Sequence, residues 1–245
     1  MLAMESVQTH RPFVRGAIAG RTLPVAEPDD LASLGHAKSY PAGATIYFED
    51  DSPDHLFEVI DGVLKLYKLT PDGRRQVTGF VYPGQFLGLA TLDGYVHTAE
   101  AVTAVTLRRY GRSQLARLAD ENPGVARRLL TLTLSDLVAA QDQMLLLGRK
   151  SAVEKLASFL LHLADQSETR GDGPDVIYLP MARTDIADFL GLTTETVSRI
   201  LGRLKAAGVI RLLRTNQIKL VDFGRLIELA EADEQGSLCG SGSCV

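Results

Sequence analysis

The stretch "RTDIADFLGLTTETVSRILGRL", Arg183–Leu204, decides how the rest of the chain is read. Ile186, Ala187 and Leu190 recur at helical spacing, and Gly191 then breaks the rhythm. A second helical rhythm starts near Thr194 and turns Val197, Ile200, Leu201 and Leu204 to one side. Small Ala187 lets two helices cross closely, Gly191 supplies a tight turn, and Val197 and Leu201 pin the second helix. Thr193 stands where a hydroxyl can accept from an orphan backbone amide. "GVIRLLRTNQIKLVD" follows, with Thr215, Asn216 and Gln217 turning between two short strands. The pattern predicts a helix-turn-helix with a β-hairpin wing.

On the other side of the second helix stand Glu195, Ser198 and Arg199, at i, i+3 and i+4, which share one face. An i,i+4 ion pair is the plain reading, worth only ~0.3–0.5 kcal/mol on a surface. A major groove gives the three residues more to do. Arg199 can donate two hydrogen bonds to guanine O6 and N7, Glu195 can accept from a cytosine amino group, and Ser198 can meet a base edge or a phosphate. Arg183, Thr194, Arg203 and Lys205 are placed for phosphates. Gly202 leaves the face uncrowded.

N-terminal to this region, "RSQLARLADENPGVARRLLTLTLSDLVAAQDQMLLLGRKSAVEKLASFLLHLADQ" is nearly all helix former, and Pro123 suits a helix start. Leu130, Leu134, Leu137, Gln141 and Met144 advance by four, three, four and three, the seam of a coiled coil. Leu129, Leu132, Val138 and Leu145 widen that apolar surface. A helix so apolar lies against its own domain, a second copy, or both. The next helix is expected over about Ser151–Gln166, followed by an exposed loop "SETRGDGPD" and a short strand "VIYLP". A last helix is expected over about Phe223–Ala232.

From about Pro41 to Tyr110 short runs rich in Val, Tyr, Phe and Thr alternate with turns such as "DSPD" and "PDG". Glycines at 62, 79, 84, 88 and 94 punctuate them, which suggests a small antiparallel barrel or jelly roll. The class is therefore α+β. The expected division is a loose arm over 1–27, a β-domain over 28–120, a dimerisation helix over 121–150, the winged helix-turn-helix over 151–232, and a flexible tail over 233–245.

The chain of 245 residues is 23% charged and 45% hydrophobic, with a formal net charge of −4. Acids gather in "EPDD" from Glu27 and "EADEQ" from Glu231, whereas Arg and Lys recur from Arg183 to Lys219. Local potential governs nucleic-acid binding, so the mild acidity of the whole does not oppose it. No apolar run reaches the roughly eighteen residues of a membrane span. Glu5 and Pro12 stand where a secretory signal would be apolar. The two cysteines, Cys239 and Cys244, do not make a disulfide framework. A cytoplasmic protein with no membrane partner is expected. No G-x-G-x-x-G, H-E-x-x-H or G-x-S-x-G context is present, so an enzyme is not expected. A pure protein-interaction module is the remaining rival, and Arg199 separates the two: only a DNA reader needs it.

"LPMARTDIADFLGLTTETVSRILGRL", following a β-domain and a leucine-rich helix, resembles the Crp/Fnr superfamily of bacterial transcription regulators. The "ETVSR" segment is similar to the subgroup of the anaerobic regulators Fnr and FixK. The resemblance implies a cyclic-nucleotide-binding-like β-roll, a homodimer, and a DNA palindrome near TTGAT-N4-ATCAA. In it Glu195, Ser198 and Arg199 read bases, Arg199 taking the guanine. It also implies contact with RNA polymerase, for example through the loop near Pro71–Arg74, and control in low-oxygen or related metabolism.

The chain departs from the family's cyclic-AMP pattern. Leu89 occupies the glutamate position and His97-Thr98 the Arg-Ser positions, so a ribose acceptor and a phosphate-binding guanidinium are missing. The iron–sulfur pattern is missing too, for neither residues 1–43 nor the β-region holds a cysteine. No cofactor is expected. Two alternatives remain within the same family: a haem sensor of nitric oxide or carbon monoxide, with His97 the axial candidate, and a redox- or metal-responsive pair at Cys239 and Cys244.

Overall fold

The structure, a computed structural model, describes residues 35–89, 91, 93–170 and 175–231. The expected arm over 1–27 and the cysteine pair at 239 and 244 lie outside the described residues. Eight strands come first: β1 His36–Tyr40, β2 Thr45–Tyr47, β3 His55–Asp61, β4 Leu64–Leu69, β5 Arg75–Val81, β6 Phe86–Leu87, β7 Thr98–Ala101 and β8 Val105–Gly111. They form two antiparallel sheets, ordered β1-β8-β3-β6 and β2-β7-β4-β5. Alternation along the strands sends Phe57, Val59, Leu64, Val81, Ala99 and Leu107 into the space between the sheets. The turn expected at "PDG" is present, whereas "DSPD" joins strands of different sheets and the tight turn beside it falls at Phe48–Asp51, where the Asp51 amide donates to the Phe48 carbonyl at 3.3 Å. At "PDG" the Thr70 amide donates to the Arg74 carbonyl at 2.8 Å, and Gly73 takes φ +80°. Gly62, at φ +87°, turns β3 into β4 where a Cβ would collide with the Ala104 carbonyl oxygen. β1 is an element that the sequence reading omitted, because "HAKSY" is largely solvent-facing and carries little apolar alternation.

Six helices follow among the described residues: α1 Arg112–Glu121, α2 Pro123–Arg149, α3 Ala152–Arg170, α4 Arg183–Leu190, α5 Thr194–Ala206 and α6 Phe223–Glu231. Asn122 begins α2 by accepting from the Gly124 amide at 2.9 Å, and Pro123 occupies a position that needs no donor. One side of α2 is covered by its own chain: Val125 packs with Leu56, Phe86, Tyr110 and Leu115, and Leu129 and Leu132 lie against the same cluster. The other side is bare. Leu130, Leu134, Leu137 and Met144 are 59%, 52%, 54% and 65% exposed, and Gln141, Val138 and Leu145 are exposed with them.

α3 runs to Arg170, four residues beyond the expected end at Gln166. Ser167 to Arg170 contain no breaker, and Gly171 is the first residue that opposes a helix. Three more strands, β9 Val176–Tyr178, β10 Ile210–Arg214 and β11 Gln217–Leu220, form a sheet ordered β10-β11-β9. Gln217, expected in the turn, already pairs with Tyr178 in that sheet.

The largest apolar cluster ignores the division of the chain into a β-part and a helical part. Val63, Val77, Phe80 and Tyr82 of the β-roll share it with Phe159, Ile186, Phe189, Val197, Leu204 and Leu226. The Phe189 ring lies 5.3 Å from Phe80 and 5.5 Å from Phe159. Such edge and tilted contacts are favourable for aromatic quadrupoles.

Candidate nucleic-acid interface

α4 and α5 are joined as the sequence predicts. Gly191 ends α4 in the left-handed region at φ +63°, and the Leu192 amide donates to the Ala187 carbonyl at 2.9 Å. Thr193 then begins α5, its hydroxyl oxygen accepting from the Thr196 amide at 3.2 Å. Val197, Ile200, Leu201 and Leu204 are buried, so the roll of α5 about its axis is fixed by packing. That roll turns Glu195, Ser198, Arg199, Gly202, Arg203 and Lys205 to solvent. A Cβ on Gly202 would meet nothing within 4 Å, which leaves this face open to a large ligand.

Among the described residues no ion pair joins Glu195 to Arg199. Glu195 instead answers to the helix start: its own backbone amide, and then the Thr193 hydroxyl, hold its carboxyl below the usual range. Both charged groups are therefore available to an outside partner. Of the residues assigned to phosphates, Arg203 and Lys205 are exposed, whereas Arg183 and Thr194 are half-buried. Burial lowers the Arg183 pKa. Arg211 and Arg214 of the wing are exposed as well. The sequence reading did not single them out, although they belong to the Arg and Lys series from Arg183 to Lys219.

Leu89 and His97 fall elsewhere, in a cleft of about 430 Å³ between the second sheet and α2, which Arg128, Ser135, Asp136 and Gln143 also line. Burial, then the nearby Lys68 charge, lowers the His97 pKa, which favours a neutral imidazole. The Thr98 hydroxyl oxygen accepts from the Glu49 amide at 3.0 Å. Among the described residues no group of three His, Cys, Asp or Glu side chains is placed to hold a metal ion. None of their helices is long and apolar enough to cross a membrane.

Two family models match the chain, one in each of these regions. Residues 37–122 match the cyclic nucleotide-binding domain, and residues 154–229 match the Crp-like helix-turn-helix domain. The chain is 39% identical over 219 residues to the nitrogen fixation regulation protein FixK of Bradyrhizobium diazoefficiens, covering 89% of this chain and 92% of that one. It is 39% identical over 220 residues to the transcriptional activatory protein AadR of Rhodopseudomonas palustris, covering 89% and 91%. The solved structure of FixK2 from Bradyrhizobium japonicum superposes with a TM-score of 0.76 at 39% identity, over 81% of this chain and 98% of that one.

Proposed function

The chain belongs to the Crp/Fnr family of transcription regulators and is not an enzyme, and from that premise we propose that it reads a TTGAT-N4-ATCAA-like palindrome as a homodimer. The observation that carries this reading is the trio Glu195, Ser198 and Arg199, exposed together on the first turns of α5. In a major groove Arg199 takes guanine O6 and N7, Glu195 takes the amino group of the cytosine paired with it, and Ser198 takes a neighbouring base edge or phosphate. Arg183, Thr194, Arg203 and Lys205 hold the backbone and fix the register. The dimer forms along Leu130, Leu134, Leu137, Gln141 and Met144. A two-fold axis then sets the two α5 helices about 34 Å apart on one DNA face.

The regulator acts as an activator in the cytoplasm, touches RNA polymerase, and serves low-oxygen or related metabolic control, the setting implied by its resemblance to the anaerobic regulators. It needs no cyclic AMP. Leu89 cannot accept from a ribose hydroxyl, and His97 stands where a guanidinium would meet the cyclic phosphate, which together support a binding mode independent of that nucleotide. The test is selection of bound duplexes from a random pool by full-length protein, with and without cyclic AMP. Inverted TTGAT-like repeats are expected in both pools. Enrichment of unrelated sequences, or enrichment only with the nucleotide, overturns the reading.

A further inference from the structure

The covalent link between the β-roll side and the DNA-reading side is slim. α2 ends at Arg149, and only Lys150 and Ser151 separate it from α3, Lys150 being extended at φ −86°, ψ 142°. Two non-helical residues between helices make a pivot. Side chains of the β-roll and α2 grip α4 and arrest rotation about it. Lys65 of β4, only 6% exposed, sets its Nζ 2.9 Å from Glu100 and 3.2 Å from Asp185 of α4. Arg75 of β5 reaches Asp185 at 2.6 Å and Asp188 at 3.2 Å, with its guanidinium over the Tyr67 ring. The end of α4 is held too. Its last carbonyls have no partner within the helix, and the side chains of Gln76 and Gln143 donate to the Asp188 and Phe189 carbonyl oxygens.

Stability alone is a poor account of this cluster. A buried ion pair such as Lys65–Asp185 often adds little over apolar residues of the same size, because desolvation offsets the attraction. Its directed contacts do something that apolar packing does poorly: they select one angle. Four side chains, from β4, β5 and α2, converge on one eight-residue helix, and that helix carries α5 through the Gly191 turn.

We propose that Lys65, Arg75, Gln76 and Gln143 are positioning residues for DNA reading, fixing the angle of α4 and α5 to α2 and so setting the spacer length that a dimer accepts between half-sites. This rests on the reading of the chain as a dimer on an inverted repeat. One base pair of spacer moves a half-site by about 3.4 Å and turns it by about 34°. A gripped dimer cannot follow that displacement, and a loosened one can.

The experiment measures full-length protein against duplexes that carry the selected half-sites at the preferred spacer, one base pair shorter and one longer. A fourth duplex has the preferred spacer and one altered base in a half-site. Wild type is expected to bind both off-length duplexes at least about tenfold more weakly, a difference of about 1.4 kcal/mol. Arg75→Ala with Gln143→Ala should bring the spacer penalty to within about threefold while keeping the penalty for the altered base. Arg75→Lys, which keeps the charge but not the guanidinium fork, should recover part of the spacer preference. Asp188→Asn, a milder change on a half-exposed side chain, repeats the test if the double variant does not fold. Variants that melt earlier yet keep the full spacer preference overturn the proposal, since the contacts would then only hold the fold together. Wild type that binds all three spacers equally overturns it as well. Loss of the altered-base penalty in wild type instead strikes the reading of α5, and the positioning role with it.

Discussion

α2 and α5 each bury one face in their own chain and leave the other uncovered, but the uncovered faces differ in kind. That of α2 shows Leu130, Leu134, Leu137, Met144 and Leu145, each more than half exposed. That of α5 shows Glu195, Ser198, Arg199, Arg203 and Lys205 above a buried row of Val197, Ile200, Leu201 and Leu204. Apolar surface left in water costs about 25 cal/mol per Å² relative to burial, so the α2 face favours a second apolar surface of similar length. The α5 face loses nothing in water and gains only from a partner with matching donors and acceptors. One helix asks for area and the other for hydrogen bonds, which is the division of labour expected between dimerisation and base reading.

The sharpest way to break this contrast is to make the α2 face polar. Leu134→Glu with Leu137→Glu should convert the protein to monomer in sedimentation and lower operator affinity by about 100-fold or more, the loss expected when two linked contacts become one. An unchanged dimer would remove α2 as the interface.

Next in size is the α5 face. In a matrix of single-base changes through one half-site at fixed salt, Arg199→Ala should lose about 1–3 kcal/mol of discrimination at the guanine. Glu195→Ala should relax the opposing cytosine. Arg203→Ala should weaken all sequences evenly and reduce the salt slope by about one contact. Retention of guanine preference by Arg199→Ala would recast Arg199 as a phosphate contact.

How much of this was legible beforehand follows from sequence distance. The Ala187, Gly191 and Thr193 signals lie within one turn of what they control, and the structure has α4, its left-handed cap and α5 where they were read. The exposed apolar row on α2 was legible for the same reason, since its spacing is a property of one helix. The grip on α4 was not, for Lys65 and Asp185 meet across 120 positions and neither residue type announces a partner. β1 escaped because an exposed edge strand carries almost no apolar pattern.

A smaller effect tests the start of α5, where the Thr193 hydroxyl also meets the Glu195 carboxyl. Thr193→Ala removes the hydroxyl that accepts from the Thr196 amide and should cost about 1 kcal/mol in denaturant unfolding. Base preference should stay as in wild type. A shifted base preference would mean that the cap aims the helix as well as stabilising it.

A last effect, seen only as a dependence on pH, sits on α2, on the side of the cleft. Asp136 is exposed as a residue, but the walls of the cleft strip water from its carboxyl and push it up from 3.8 to about 6. The folded protein thus holds this proton more tightly than the unfolded chain does, and stability is lost as pH rises from 3.8 through about 6. Asp136→Asn should therefore melt higher than wild type above that window and match it below. A difference that does not vary with pH would show that the carboxyl is not the cause.

The packing of the Phe80 ring against Phe159 and Phe189 limits how this protein can be cut and recombined. The DNA-reading unit is contiguous in sequence from α3 onward, yet it borrows Val77 and Phe80 from the other side of the pivot to close its own interior. Produced alone, it would present the Phe159 and Phe189 rings to water and invite self-association. Grafted onto a relative's sensor half, it would inherit whatever residues stand at the positions of Val77 and Phe80, so a chimaera that keeps its surfaces but changes those two side chains is mismatched from within.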